Sequence, residues 1–304
     1  MCAGILKKNP VPGAKIENAA GLVTDLSTTI ILSGVTMKSD GGYLMEGDDE
    51  ALRLDVKTDA ALVEEQALWA GIKPGMRIAD LGCGAGKTTY HLNRLVQPNG
   101  QTVGVDIGRQ RIEYATKHYS DEGIEYVACD IRQPLDGLGA FDFIWVRFVL
   151  EYYSEESAAI VKNISKNLKP GGILCLIDLD CNCLRNFGLS QRLENAMVQI
   201  MKNLESNFNF DPYIGIKLYS YVFDLGFEEI EVKVTPHNLI YGDLREKDSF
   251  NWTKKVEIAA RHSGIPFNEY DGGYEEFFEE FKQYFSSPRR FTYTPMVWCR
   301  ARRT

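Results

Sequence analysis

In the run Asp80-Leu-Gly-Cys-Gly-Ala-Gly86 a carboxylate is followed by three alternating glycines, at the point where an apolar stretch from Met76 to Leu81 gives way to a helical pattern from Lys87. Glycine removes the Cβ atom where backbone must turn tightly and come close to a bound molecule. That much would suit any nucleotide. The carboxylate narrows the choice, because a pyrophosphate beside Asp80 would meet a poorly screened negative charge in a partly buried crevice, whereas a cationic ligand would be attracted. Further charges stand at corresponding places: Asp106 ends the run from Thr102, Asp130 follows Glu125 to Cys129, and Arg147 follows Phe141 to Val146. A carboxylate at 106 can accept both hydroxyls of a ribose as a bidentate acceptor. Any one strand-end aspartate can also be a mere helix cap, but several in register weaken that reading.

These residues need elements to aim them at one edge. From Lys73 to Asp180 short β-rich runs alternate with longer helical patterns, the signature of a parallel sheet with crossover helices. Strands are expected over Arg77–Leu81, Thr102–Asp106, Glu125–Cys129, Phe141–Val146 and Ile173–Leu179, the last after the turn Lys169-Pro-Gly-Gly172. Helices fill the gaps over Thr88–Leu95, Arg109–Tyr119 and Ser154–Leu168, with Ser154 as N-cap. In an open sheet of this kind the ligand lies beyond the carboxyl ends of the strands, where strand order reverses.

Ahead of this core Leu52–Trp69 reads as a helix, Thr28–Leu32 as a short β-prone run and Ser39–Gly42 as a joint. Beyond it, Leu189–Phe208 and Ile216–Asp224 read as helices and Phe227–Val234 as a strand. A last strand should start at or after Met296, because Pro295 cannot donate a ladder hydrogen bond. The long stretch from His237 to Thr294 is rich in aromatics and carries amphipathic segments at Asn251–His262 and Glu275–Phe285. It is either a cover over a binding cleft, the favoured reading, or a homodimer surface. The expected fold class is therefore α/β, a Rossmann-like doubly wound, mostly parallel seven-stranded sheet with an antiparallel last strand. It divides into an N-terminal arm (1–45), a core (46–236), a helical insertion (237–294) and the last core strand (295–304).

At 304 residues, with 44% hydrophobic and 25% charged side chains, the chain has globular composition. It contains nothing like the roughly 20 apolar residues of a membrane span, and no secretory signal is read at its start. A cytoplasmic protein is expected. Seven cysteines scattered along the chain suggest free thiols rather than a disulfide framework. A net charge of −8 discourages nucleic acid as a partner. The basic cluster Arg289, Arg290, Arg300, Arg302 and Arg303 reads as a solvated end of the last strand.

In combination these motifs resemble the class I S-adenosylmethionine (SAM)-dependent methyltransferases, over roughly Gly75 to Leu179. The resemblance implies SAM as cofactor, with S-adenosylhomocysteine as product. It puts the loop residues Gly82, Cys83, Gly84 and Gly86 under the methionine and ribose parts, with Asp80 at the cationic end. Val103-Gly-Val-Asp-Ile107 is similar to the second motif, implying Asp106 on the ribose hydroxyls and Ile107 against the adenine. Cys129-Asp-Ile131 is similar to the third, with Asp130 on the adenine amino group and Ile131 supplying backbone contact. Phe141-Asp142 through Arg147-Phe-Val-Leu150 resembles the strand-four motif, with Arg147 beside the methionine end. Within the family the chain looks closest to the small-molecule branch that includes the ubiquinone and menaquinone biosynthesis methyltransferases. Gly42-Tyr-Leu-Met-Glu46 and Leu52-Arg53 resemble a segment closing over the methionine end there, which makes Tyr43 and Arg53 candidate cofactor contacts.

Methyl transfer from a sulfonium is an in-line displacement, so positioning can supply much of the acceleration, on the order of 7 to 11 kcal/mol in favourable cases. A general base matters only for hydroxyl or protonated-amine acceptors, and His237, after the penultimate strand, is the candidate. Glu151, Tyr152 and Tyr241 are also placed to meet an acceptor. Aromatics at Phe148, Tyr152, Tyr153, Tyr213, Tyr241, Phe250 and Trp252 suggest a small, planar or apolar acceptor, although core packing explains aromatics at helical spacing equally. Asp178-Leu-Asp-Cys-Asn-Cys183 invites a metal, but a CxC pair alone lacks a zinc ligand set, so no metal is expected. Two other readings stand beside the enzyme: an NAD(P)-dependent oxidoreductase, which Lys87 in place of a third fingerprint glycine disfavours, and a SAM-binding regulator without turnover.

Overall fold

The computed structural model describes Asp55 and residues 58–304. The N-terminal arm, with Tyr43, Arg53, Thr28–Leu32 and the joint at 39–42, lies outside the described residues. Strands β1 (Arg77–Leu81), β2 (Gln101–Asp106), β3 (Ile124–Ala128), β4 (Phe141–Arg147) and β5 (Leu168–Leu179) pair in parallel in the order β3-β2-β1-β4-β5. The order reverses between β1 and β4, which opens a crevice at their carboxyl ends. β8 (Phe291–Arg302) runs antiparallel along β5, with β7 (Glu228–Tyr241) on its far side and the two-residue β6 (Asn186–Phe187) at its start. The sheet is thus the expected seven-stranded Rossmann-like one with one further short strand.

Alternation along the strands divides the core in two. Ile78, Phe143, Trp145, Cys175 and Ile177 face helices α1 (Ala60–Ala70) and α2 (Lys87–Val96), through Val63, Ala67, Leu92 and Val96. Leu81, Ile144, Val146, Leu174 and Leu176 face α4 (Ser157–Ser165) and α6 (Leu218–Asp224). Parallel strands covered on both faces have no solvated side, which is why they read as unbroken apolar runs. Helix α3 (Arg109–His118) joins β2 to β3.

Boundaries differ from expectation at several places: β5 already begins at Leu168, so Lys169–Gly172 lies within it rather than before it, and α4 begins at Ser157 with Glu156, not Ser154, at its N-cap. Helix α1 begins at Ala60, where the Asp59 carboxylate accepts from the amides of Ala61 and Leu62 and caps it; of the stretch expected as helix ahead of it, residues 52–54, 56 and 57 lie outside the described residues and Asp55 is helical. β8 begins at Phe291, ahead of Pro295, because Pro295 sits opposite Pro236 beside an irregularity in register, where neither missing N–H interrupts a regular ladder. Strands β7 and β8 therefore both run into the stretch read as insertion. Between them α7 (Glu246–Ser263) and α8 (Gly273–Ser286) pack on α5 (Gln191–Phe208) in a separate core built from Leu193, Met197, Trp252, Val256, Phe277 and Phe281.

The basic cluster is not uniformly solvated. Arg300 and Arg302 pair with Glu231 and Glu229, but Arg290 is only 2% exposed and donates to the carbonyls of Gly242 and Ser287. It closes the carbonyl end of α8 onto the turn after β7, a role that charge counting does not reveal. No described helix is long and apolar enough to cross a membrane.

Candidate functional site

The site grows from the end of β1. After Leu81 the chain turns at Gly82, with φ of +82°, and the amides of Gly82 and Cys83 donate to the Val105 carbonyl at 2.7 and 2.9 Å. A Cβ on Gly82 would lie 2.3 Å from a Val149 methyl, and one on Gly86 would lie 2.5 Å from Ala115 Cβ. Both glycines are thus demanded by packing against protein as well as by any ligand. The Gly84 amide donates to Asp106 Oδ2 at 2.9 Å, which fastens the loop to the end of β2. Cys83 is a buried thiol whose pKa is pushed up by burial, with Asp80 and Asp106 adding to the effect, so it is held protonated and unreactive.

Asp80 is buried, and Thr89 Oγ1 donates to its Oδ2 at 2.7 Å. Burial raises the carboxyl to about 7; Thr89 and Arg147 oppose the shift, and Asp106 adds to it. A buried carboxyl balanced near neutrality is one that an incoming cation would ionise. Arg147, at the end of β4, donates from Nε to Gln66 Oε1 at 3.0 Å, and its guanidinium lies 4.2 Å from the centre of the Phe148 ring. Burial lowers this guanidinium to about 10, against the pull of Asp80, Asp178 and Asp59. Phe148, at φ of +58°, meets the imidazole of His237 edge-on at 4.9 Å. Arg147, Phe148 and His237 therefore form one continuous wall beside Asp80.

Asp106 is 7% exposed and is paired with Arg111, whose Nε and Nη2 both lie 2.9 Å from Oδ1. Ile107 beside it is exposed. Asp130 feels burial raising its carboxyl, but hydrogen bonds from Arg132 outweigh this and hold it below the usual carboxylate range. Ile131 is buried in the core face. Asp55 lies against α2 and α3. Lys87 Nζ donates to its carbonyl at 2.8 Å, and Tyr114 and Tyr119 donate to its carboxylate.

The sequence marked Asp178 only as part of a weak metal motif, and the structure gives it a different place. This fully buried carboxyl accepts from the amides of Leu150, Glu151 and Leu179, and its pKa is driven far upward by burial and by neighbouring Glu151. Glu151 Oε2 accepts from Asn182 Nδ2 at 2.7 Å, and Asn182 Oδ1 accepts from Lys255 Nζ of α7 at 2.7 Å. Its signal was available as a single carboxylate inside the otherwise apolar run Ile173–Leu179. The aromatic candidates are not all brought together. Tyr152 lies 5.7 Å from Phe210 and packs against the same helical core in which Trp252 stacks on Phe285, whereas Tyr241 and Phe250 are exposed. His91 contacts Glu64, His118 stacks on Tyr114, and His262 bonds its own helix, so of the histidines His237 alone meets Phe148. Cys181 and Cys183 are buried free thiols, and no group of three or more described His, Cys, Asp or Glu residues is placed to hold a metal.

Comparison with known proteins adds to this geometry. A family model described as a methyltransferase domain matches residues 72–242, more than half of the chain. The ubiquinone/menaquinone biosynthesis C-methyltransferase of Shewanella pealeana is 28% identical over 234 residues, covering 71% of this chain and 87% of that protein. The protein of the same name from Pseudomonas putida is 28% identical over 139 residues, which is 42% of this chain and 54% of that protein. Among solved structures, a candidate methyltransferase from Bacillus halodurans C-125 superposes with a TM-score of 0.52 and 14% identity over 80% of this chain and all of the other, a likeness of fold.

Proposed function

Because the chain belongs to the methyltransferase-domain family, we propose that it moves a methyl group from SAM to a small organic acceptor, chiefly by holding donor and acceptor in line. The observation that carries this reading is the closed array at the ends of β1, β2 and β4. Asp80 is a buried carboxyl near neutrality, Gly84 is tied to Asp106, and Arg147 stands opposite. A sulfonium and an ammonium supply the positive charge that such a site is built to accept, and SAM has no phosphate for Asp80 to repel.

In this reading Asp80, Gly82, Cys83, Gly84, Gly86 and Arg147 border the methionine end, Asp106 and Ile107 the ribose and adenine, and Asp130 and Ile131 the adenine edge. Tyr43 and Arg53 remain candidates for the methionine end. The acceptor would lie along Phe148, Tyr152 and His237, which favours an aromatic or apolar molecule. The relatives' names make a quinone precursor the first to try. His237 would serve as a base only if the acceptor atom carries a proton. The insertion reads as a cover, which the Lys255-Asn182-Glu151 contact with the core supports.

A cytoplasmic location fits the six free, buried thiols among the described residues. Pairing of two copies through the exposed Leu239, Tyr241, Phe291 and Tyr293 is the reading to set against sedimentation of the pure protein, where a monomer at working concentration would remove it. The function itself is tested by incubating the protein with methyl-labelled SAM and a panel of aromatic and quinol acceptors. Label should pass to at least one of them, and His237→Ala should slow transfer to hydroxyl acceptors. Absence of transfer to any acceptor, with SAM bound, would favour a regulator.

A further inference from the structure

Asp106 leaves β2 with its acceptor capacity nearly filled. Its Oδ1 accepts from the Gly108 amide at 2.8 Å and from Arg111 Nε at 2.9 Å, and Arg111 Nη2 lies 2.9 Å from the same atom. Its Oδ2 accepts from the Gly84 amide at 2.9 Å. A carboxylate oxygen offers about two lone-pair sites, so Oδ1 is saturated and Oδ2 has one site left. A ribose presents two adjacent hydroxyls, and a bidentate grip needs one site on each oxygen. With Arg111 in place, that grip cannot form.

Arg111 does not owe this position to its helix. It lies in the first turn of α3, which has no acidic residue and where a cation opposes the helix dipole. The pocket that receives it is made by Gly108, since a Cβ there would stand 2.5 Å from the guanidinium carbon. Arg111 and Asp106 are 5% and 7% exposed, so the pair is a buried internal contact rather than a chance surface bridge.

We infer that Arg111 is an affinity-setting residue of the cofactor site: it occupies Asp106 in the free protein and must release Oδ1 before the ribose diol of the cofactor can be held at both oxygens. This rests on the reading that Asp106 takes the ribose. The apparent affinity is then the intrinsic one reduced by the fraction of molecules in which Arg111 has withdrawn. The contact makes binding weaker than the rest of the site would give.

The test is a double-mutant cycle read by calorimetric titration of S-adenosylhomocysteine into the full chain, with thermal unfolding of each variant run alongside. Arg111→Met should tighten binding by about fivefold or more, Asp106→Asn should weaken it, and Arg111→Met should have no effect in the Asp106→Asn background. Should Arg111→Met unfold because it strands Asp106, Arg111→Gln gives the same reading with a weaker partner, and Arg111→Lys should stay near the parent affinity. Unchanged or weaker binding by Arg111→Met or Arg111→Gln would overturn the inference, as would an Asp106→Asn protein that binds as tightly as the parent. Failure of the parent and every folded variant to bind S-adenosylhomocysteine would instead overturn the proposed cofactor.

Discussion

Asp80 is the residue on which the electrostatics of the site turns, and its behaviour with pH follows from burial. Its carboxyl is raised to about 7, so between the ordinary aspartate range and about 7 the folded state keeps a proton that the unfolded chain has lost. The ligand-free protein should therefore lose stability as pH rises across that window, and Asp80→Asn should flatten the loss. Binding runs the other way, because a cationic ligand favours the ionised carboxylate. Affinity for SAM, which carries both the sulfonium and an ammonium, should rise from pH 6 to pH 8 in the parent and change much less in Asp80→Asn; a parent affinity that falls over this range would contradict the assignment. The type and spacing of Asp80, the glycines and Asp106 were legible in the sequence, since strand ends fix where such side chains emerge. Arg111 was not, and Asp178 showed only as a lone carboxylate in an apolar run, because a strand pattern does not say which polar residue is buried or what it meets across the sheet.

At the scale of elements, the link between α7 and the loop after β4 is the feature that a linear reading could not supply. Glu151, Asn182 and Lys255 are far apart in the chain, and only the packing of α7 on α5 brings Lys255 to Asn182. Removing one end of a largely buried polar chain leaves the other end unsatisfied, at a cost of about 1 to 3 kcal/mol. Lys255→Met should accordingly speed hydrogen exchange in α7 and at Tyr152–Glu156, while S-adenosylhomocysteine affinity stays within about twofold of the parent. Unchanged exchange would mean that α7 is held by its apolar face alone. Strand types were readable from their apolar runs, whereas boundaries depended on details such as the Asp59 cap and the facing prolines at 236 and 295.

For the molecule as a whole, the proposed ligand edge belongs to the parallel half of the sheet, and the helical stretch between β7 and β8 is proposed as its cover. The parallel half of the sheet carries the residues that would hold the cofactor, and the β7–β8 arm with its helical core, which meets it through His237 and Lys255, would stand on the acceptor side. The first half was legible because its motifs are local, each lying within a single strand and the loop that follows. The second was not, because an acceptor site is assembled from distant segments whose meeting is decided by tertiary packing. The central claim is that the array at Asp80, Asp106 and Arg147 binds a phosphate-free cationic cofactor. The most direct measurement is the thermal unfolding midpoint of the full chain with saturating S-adenosylhomocysteine, beside the same experiment with NAD. Ligand at about 100 times its dissociation constant stabilises the native state by about 2.7 kcal/mol, so S-adenosylhomocysteine should raise the midpoint by several degrees and NAD should leave it unmoved. A rise with NAD and none with S-adenosylhomocysteine would contradict the account.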